Sequence, residues 1–248
     1  MKEYKGIVIA LIAGICAIIC VSVFSFSIVN YKRTSGSGGL TATGSANCDF
    51  EADLIVWRGE FSSSGLTSRN AYQRITKDAK LVKDYLEKNG VTEEEMVFSS
   101  VTISERWTTL YNDEGNRTGE VLDGYDLSQS ISITSMDVDK IEAISRDISE
   151  LIESDVEFIS YEPEYYYTKL DELKLELIEQ ATQNAKDRID LMAAGSGTKP
   201  GELLNATLGV FQITPQNSNT EYSYGGTFDT SSRLKNASVT VKLNYTTQ

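Results

Sequence analysis

The hydrophobic pattern begins with an apolar run over residues 6–30 that carries no charged side chain. At 1.5 Å per residue a helix of this length spans about 35 Å, enough to cross the hydrocarbon core of a bilayer. A cleaved secretory signal has a shorter apolar core and a small-x-small cleavage site, which Ser25-Phe26-Ser27 matches poorly. We therefore predict an uncleaved transmembrane signal-anchor at 6–30, with a cleaved signal peptide as the alternative.

Basic residues on both sides of this run suggest an orientation. Lys2 and Lys5 precede it, and Lys32 and Arg33 follow it. The short tail, residues 1–5, is predicted to stay in the cytoplasm, and the chain after the span to lie outside it, in the periplasm or the extracellular space. Residues 31–39 are rich in Gly and Ser and predict a flexible linker. The expected localisation is a single-pass protein of the cell membrane.

Beyond the linker, alternating and helical patterns follow one another in an order typical of an α+β domain. The predicted elements are a long strand (40–61), a helix (67–89), a strand (96–111), a polar tip (112–120), a strand (121–135), a helix capped by Asp137 and a strand (156–167). This order predicts a ferredoxin-like βαββαβ plait over about 40–165.

The apolar spacing also predicts which faces are buried. In the first strand, Trp57 is expected on the face opposite Leu54, Val56 and Phe61. The predicted buried face of the first helix consists of Tyr72, Ile75, Ala79, Val82 and Leu86, and that of the second of Ile141, Ile144, Ile148 and Ile152.

A C-terminal αββ part is predicted for 166–248. It consists of a helix from Lys169 to Ala194 and two closing strands, 203–215 and 234–247, around a polar loop at 216–233. The predicted fold class is α+β: the plait, a C-terminal helix and two closing strands, preceded by one transmembrane helix. Residues 40–248 form one unit or two closely joined ones.

Composition narrows the possible functions. The formal net charge is −13 and histidine is absent. The acidic balance disfavours nucleic acid as a partner because the chain has no basic cluster to neutralise phosphates. Without histidine, neither Ser-His-Asp nor Cys-His catalysis is possible, nor is an imidazole metal site.

Cysteine chemistry is similarly restricted. Of the three cysteines, Cys16 and Cys20 lie in the apolar run, so the exported part cannot form an internal disulfide. A reactive thiol needs a nearby cation or a helix N-terminus, whereas Cys48 is surrounded by Asp49, Glu51 and Asp53. We interpret Cys48 as a tolerated buried or half-buried residue, with an intermolecular disulfide as the alternative.

Other candidate sites are few. The consecutive tyrosines Tyr165, Tyr166 and Tyr167 are a possible subunit interface, since a strand places their rings on both faces; ordinary packing is the alternative. Asp113-Glu114-Gly115-Asn116 superficially resembles a calcium loop but lacks the alternating acids and the distal Glu, so it is interpreted as a turn. The sequence predicts no catalytic, cofactor-binding or metal-binding residue.

Several segments, taken in order, resemble the SIMPL-domain family of exported bacterial proteins. They are "TATGSANCDFEADLIVWRGEF" (41–61), "AYQRITKDAKLVKDYLEKNGV" (71–91), "FSSVTISERW" (98–107), "GYDLSQSISITSMDVDKI" (124–141), "QATQNAKDRIDLMAA" (180–194) and "ASVTVKLNY" (237–245). The resemblance covers about 40–247. It departs from the family at Ala46-Asn47-Cys48 and in "AAGSGTKPGE" (193–202).

The resemblance implies an envelope-exposed protein of poorly defined function. Some members are linked to oxidative-stress defence, and at least one assembles into a large ring or channel-like oligomer. No family-wide catalytic residues are established. We therefore expect a non-enzymatic, membrane-anchored extracytoplasmic protein, with a stress-related role as a further expectation. Its expected partners are the bilayer through residues 6–30, further copies of itself and other envelope proteins, without a cofactor. The alternative is a small-ligand-binding protein or enzyme with a carboxylate/tyrosine pocket near 217–232.

Overall fold

The computed structural model describes residues 14–28, 39–219 and 223–248. Residues 14–28 are helical. The remainder of the predicted signal-anchor, the tail 1–5 and most of the linker lie outside the described residues, so the transmembrane helix stays a prediction. In the parts of the chain that the structure describes, no helix is long and apolar enough to cross a membrane.

The predicted α+β class is confirmed, with one sheet of five strands and one of six. The strands are β1 (Leu40–Glu51), β2 (Leu54–Gly65), β3 (Met96–Phe98), β4 (Thr102–Tyr111), β5 (Arg117–Ser135), β6 (Glu157–Ser160), β7 (Glu164–Tyr166), β8 (Pro200–Leu208), β9 (Gln212–Pro215), β10 (Thr227–Phe228) and β11 (Leu234–Thr247). Beyond the helical residues 14–28, the helices are α1 (Ser68–Lys88), α2 (Val138–Asp147) and α3 (Leu170–Ser196), and a 3₁₀ helix (Ile148–Ser154) follows α2.

The chain divides into two compact units. The central unit comprises Asn47–Lys174 and Phe211–Ser238, and the terminal unit comprises the described residues before Asn47 together with Leu175–Val210 and Val239–Gln248.

The central unit contains the six-stranded sheet, in the order β3-β5-β2-β6, with β4 also beside β5 and β7 also beside β2. Its strand pairs are all antiparallel. The predicted alternation of strand, helix, two strands, helix and strand is present, but it begins at β2. The prediction of one strand over 40–61 is wrong, because the chain leaves the strand at Ala52-Asp53. There the Asp53 carboxylate accepts hydrogen bonds from the backbone N and Oγ1 of Thr168, both at 2.7 Å.

Three other predicted strands are also divided. In 96–111, the Ser99 hydroxyl accepts a hydrogen bond from the backbone N of Ser130 at 3.0 Å, and the ladder is interrupted between β3 and β4. In 156–167, Pro163 has no N–H to donate and lies between β6 and β7. In 203–215, the backbone N of Gly209 donates to Thr240 O at 2.8 Å, and β8 ends before it.

The core of the central unit lies on one face of this sheet. Trp57 and Phe61 are fully buried with Ile131 and Ile133 of β5. Trp57 therefore shares a face with Phe61, contrary to the prediction, because residues four apart in a strand point to the same side. Trp57 Nε1 also donates to Ser160 Oγ at 3.0 Å, which satisfies its polar end.

Helix α1 agrees with its predicted bounds. Thr67 Oγ1 caps it by accepting from the backbone N of Asn70 at 3.2 Å, and Gly90, with φ of 85°, ends it. One predicted buried residue is wrong: Tyr72 is 58% exposed, and Ala71 occupies the core side instead.

Helix α2 begins at the predicted cap, where Asp137 Oδ1 accepts from the backbone N of Lys140 at 3.1 Å. Its predicted buried face is confirmed for Ile141, Ile144 and Ile148. Ile152 is 62% exposed and Leu151 is buried, since the 3₁₀ helix has three residues per turn and places Leu151 below Ile148.

In the terminal unit, β8 pairs antiparallel with the C-terminal part of β11. Helix α3 packs through buried side chains spaced four apart: Leu177, Ala181, Ala185, Ile189 and Ala193. Gly44 of β1 lies so close to α3 that an added Cβ would be 2.2 Å from the backbone oxygen of Ala181. Small residues on both elements make this approach possible.

Candidate functional site

The three consecutive tyrosines lie in and just after β7, and each is half-buried. Tyr165 donates through its hydroxyl to Glu142 Oε1 at 2.5 Å. Burial, together with this hydrogen bond and the charge of Glu142, raises the pKa of Tyr165 to about 12. Tyr166 donates to Glu164 Oε2 at 2.8 Å, and this bond raises its pKa. The two hydroxyls thus have partners within the central unit.

The third tyrosine makes an aromatic contact. The rings of Tyr167 and Phe50 have centroids 5.0 Å apart at an angle of 49°. The contacts of all three tyrosines described here lie within one unit. The role of Tyr165, Tyr166 and Tyr167 as a subunit interface stays a prediction.

A buried ion pair lies beside the tyrosines. Lys235 is 2% exposed, and its Nζ donates to the backbone oxygen of Asp229 at 2.6 Å and to Asp229 Oδ2 at 2.9 Å. Burial by itself would raise the pKa of Asp229, but hydrogen bonds from Ser231 and Lys235 and the lysine charge lower it. The ion pair links Asp229, in the segment before β11, to Lys235 of β11. It was not predicted from the sequence.

The space between these groups is small. A cavity of about 10 Å³ is lined by the three tyrosines, Lys235, Asp229 and neighbouring apolar side chains. That volume holds about one water molecule. This cavity, which includes Phe228 and Asp229 of the 217–232 loop, is too small for a ligand larger than water. Residues 220–222 of that loop lie outside the described residues.

A larger cleft of about 650 Å³ lies at the start of α2. It is lined by Glu51, Asp53, Asp137, Asp139, Arg233 and three apolar residues. The Arg233 guanidinium donates to Glu51 Oε1 at 2.6 Å and also to Asp139, and these bonds raise its pKa. Within the described ranges, no three metal-ligating side chains come together. Two of the cleft acids, Glu51 and Asp139, are thus paired with Arg233 within the chain.

Beyond the apolar helical residues 14–28, the hairpin formed by β4 and β5 carries a group of exposed apolar side chains. Residues 107–123, named here the projecting hairpin, extend past the last β2–β5 pair, which joins Gly65 and Tyr125. In the described chain, the strands of this segment pair only with each other. Its large apolar side chains are 38–65% exposed: Trp107, Leu110, Tyr111, Val121 and Leu122. Sequence reasoning predicted the hairpin but not its exposed apolar surface.

The base of the projecting hairpin is held by Arg106. Its guanidinium donates to Asp126 Oδ1 at 2.7 Å and to Asp123 Oδ2 at 3.2 Å. Gly124 is opposite Arg106, has φ of 154°, and has no room for a Cβ, which would lie 2.7 Å from the backbone oxygen of Gly65. The exit of the hairpin from the sheet is thereby fixed in direction.

A family comparison places this arrangement in context. The model of the SIMPL family, described as a protein of unknown function (DUF541), matches residues 40–245. The chain belongs to the SIMPL family. A search of curated proteins found no match.

The family match confirms the resemblance deduced from the ordered segments of the SIMPL domain. It assigns no activity, so the chemistry must be judged from the residues. Cys48 of this domain is half-buried, and its Sγ lies 3.4 Å from the backbone oxygen of Asp49. Asp49 accepts hydrogen bonds from Gln216 and Asn236, which lower its pKa. The immediate neighbour of the thiol is therefore a stabilised carboxylate.

The end of the hairpin is a turn, as predicted. Asn112 Oδ1 accepts hydrogen bonds from the backbone N of Glu114 at 3.1 Å and of Asn116 at 2.8 Å. The turn is shorter than the predicted polar tip, 112–120, because β5 begins at Arg117. Arg117 pairs with Glu120 at 2.7 Å, so charged residues that suggested a loop lie in a strand.

Proposed function

We propose that this SIMPL protein is a membrane-anchored extracytoplasmic module that acts through self-assembly or protein binding, without catalysis. Residues 6–30 serve as its anchor and 31–39 as its tether. Its partners are further copies of itself and other proteins of the cell envelope. The family resemblance adds a stress-related role to this proposal.

The projecting hairpin is the observation that supports a binding role. Trp107 is 52% and Tyr111 65% exposed. Aromatic residues are enriched in protein interfaces, so their exposure here favours a binding surface. A two-stranded hairpin alone is marginally stable in water. A partner covering its apolar side chains would remove that surface from water, at about 25 cal/mol per Å².

Charge is compatible with such an interface. The chain carries a net charge of −13, which opposes close approach of copies at low salt. At physiological ionic strength, charges more than about 8 Å apart across water are largely screened. Assembly of this protein should accordingly strengthen as salt is raised.

The proposal can be tested on the full-length protein purified in mild detergent. Light scattering coupled to size exclusion, over a hundredfold range of concentration, should give a protein mass that is a multiple of 27.4 kDa. The variant Trp107→Ser/Leu110→Ser should shift the mass towards the monomer. Tyr72→Ser is the matched control, because Tyr72 on α1 is 58% exposed, slightly more than Trp107, and it should leave the mass unchanged.

A second measurement covers binding to other envelope proteins. Membranes containing the full-length protein are treated with a lysine cross-linker, and adducts are compared between the native protein and Trp107→Ser/Leu110→Ser. Hairpin-dependent adducts support the proposal. A monomer at every concentration, with identical adducts in both proteins, contradicts it.

The ligand-binding or enzymatic alternative near 217–232 stays a prediction. Saturable binding of a small molecule that is lost in Asp229→Asn and retained in the hairpin variant would favour it.

A further inference from the structure

The outer edge of β4 is regular and open. In the described chain β4 pairs with β5 alone. The two irregularities of this pair place the extra residues, Asp123 and Thr118, in β5. All ten residues of β4 therefore continue without a bulge. Such an edge presents unpaired N–H and C=O groups to another extended chain.

One face of β4 carries most of its exposed apolar surface. Ile103, Trp107 and Tyr111 lie on the same side because they are four residues apart. They are 55%, 52% and 65% exposed. Their even spacing about Trp107 makes the face symmetric in chemistry: an aromatic residue at the centre and one large apolar residue four positions away on each side.

We propose that β4 pairs antiparallel with β4 of a second copy, about a two-fold axis that passes through Trp107. This inference rests on the proposed function and names its partner and its surface. A two-fold interface uses the same patch on both subunits. The two hairpins then form one continuous four-stranded ribbon.

The register follows from pairing like with like across the axis. With Trp107 opposite Trp107 of the second copy, Ile103 lies opposite Tyr111, twice. Aromatic pairs and aromatic–β-branched pairs are among the favourable cross-strand contacts. On the same face Glu105 lies opposite Thr109, and on the other face Arg106 lies opposite Thr108.

Neighbouring registers are less favourable. An axis at Arg106 would oppose two arginines, and an axis at Glu105 would oppose two glutamates, and like charges directly opposite are destabilising. An axis at Thr108 would put Trp107 opposite Thr109 and leave Ile103 beyond the end of the partner strand. Only the axis at Trp107 joins all three apolar residues without opposing like charges.

Disulfide mapping tests this register while retaining every apolar side chain. In full-length protein with Cys16, Cys20 and Cys48 replaced by Ser, Glu105→Cys and Thr109→Cys are prepared separately and then mixed under mild oxidation. Directly opposite residues have Cα atoms about 4.5–5.5 Å apart, within the range for a disulfide. The mixture should give a covalent heterodimer.

The matched controls are the two unmixed proteins and a shifted pair. Glu105→Cys alone places its cysteines four residues out of register, about 13 Å apart at 3.3 Å per residue, and should cross-link at least tenfold less. The same holds for Thr109→Cys alone, and for a mixture of Arg106→Cys with Thr109→Cys, whose side chains lie on opposite faces.

Fluorescence gives an independent readout. The chain has two tryptophans, of which Trp57 is fully buried and Trp107 half-exposed. On dilution the emission should shift to the red as Trp107 becomes exposed, and Trp107→Phe should abolish the shift.

The outcomes separate the two proposals. A covalent heterodimer that forms in the mixture of Glu105→Cys with Thr109→Cys, and in none of the controls, supports the register. Equal cross-linking in all mixtures overturns the register. An absence of cross-linking, while light scattering still shows an oligomer, does the same. Both results leave self-assembly intact. A monomer in light scattering, with no cross-link in any mixture, overturns both.

Discussion

The two halves of β5 differ in their surroundings although they belong to one strand. From Tyr125 to Ser135 the strand pairs with β2, and Leu127, Ile131 and Ile133 are at most 1% exposed. From Arg117 to Gly124 it pairs, among the described strands, with β4 alone, and Val121 is 48% exposed. Both halves are hydrogen-bonded, yet only the first is covered by helices. Strand pairing therefore does not produce the core of this unit; the apolar faces of α1 and α2 do.

The two tryptophans provide the strongest test of this difference. Trp57→Ala should lower the free energy of unfolding by about 3–5 kcal/mol, because it leaves a cavity in the core and removes the Nε1 bond to Ser160. Trp107→Ala should change it by about 0.5 kcal/mol, as expected for an exposed residue. Urea denaturation of both variants, at a concentration at which the native protein is monomeric, gives the comparison.

Equal losses in the two variants would contradict the distinction between the halves. They would mean that Trp107 is packed within one chain and that the projecting hairpin is part of the core. A value near zero for Trp57→Ala would mean that the core relaxes to fill the space.

A smaller effect is expected at the boundary between the halves. Gly124→Ala should cost about 1–3 kcal/mol because of its positive φ, with a further cost from the contact of the new Cβ with Gly65. Gly119→Ala is the control within the projecting hairpin, where an added Cβ has nothing within 4 Å. Denaturation curves should shift for Gly124→Ala alone.

Hydrogen exchange of the same two variants refines the result. Gly124→Ala should speed exchange of β4 and β5 amides in the projecting hairpin more than exchange in the half of β5 beneath the helices. Uniform acceleration along β5 would show that the two halves open together.

The smallest effect is expected at Tyr165 of β7, which pairs with Ile55 of β2. Tyr165→Phe should cost about 1 kcal/mol at pH 8, by loss of the hydrogen bond to Glu142. The folded-state pKa is raised from 10.0 to about 12, so this contribution is fully present below pH 10 and is lost as the pH rises through 12. The stabilities of the two proteins should converge over that range.

Spectrophotometric titration of tyrosine ionisation is the direct measurement. The native protein should show a step near pH 12 that disappears in Tyr165→Phe and persists in the control Tyr72→Phe. A step that survives in Tyr165→Phe would assign the high pKa to another tyrosine.

Local sequence patterns predicted most elements of the helix-covered part of the central unit. They did not predict where its strands break or its helices change winding. The strand at β5, the start of α1 near Thr67 and the cap at Asp137 depend on neighbours in sequence, and each was predicted. The break at Asp53 depends on Thr168, far along the chain. The exposure of Ile152 depends on a change from α to 3₁₀ winding, which an apolar spacing of four does not reveal.

The candidate site was predictable to a lesser extent for a similar reason. The three tyrosines were identified because they are consecutive, but two of their partners come from other elements: Glu142 of α2 for Tyr165 and Phe50 of β1 for Tyr167. The pairing of Lys235 with Asp229 has no local signal at all, since a lysine in a strand normally faces water. The strand character of β4 was predicted, but its exposed apolar surface was not.

The placement of the two extra residues, Asp123 and Thr118, has a consequence for errors of assembly. Bulges and charges commonly protect strands against unwanted pairing, and here the bulges lie on the inner strand of the hairpin. An outer strand without bulges is open to pairing with other extended chains, and in β4 the charges of Glu105 and Arg106 remain to oppose it. The choice of any partner at this edge would then depend on the side chains of β4 rather than on a bulge.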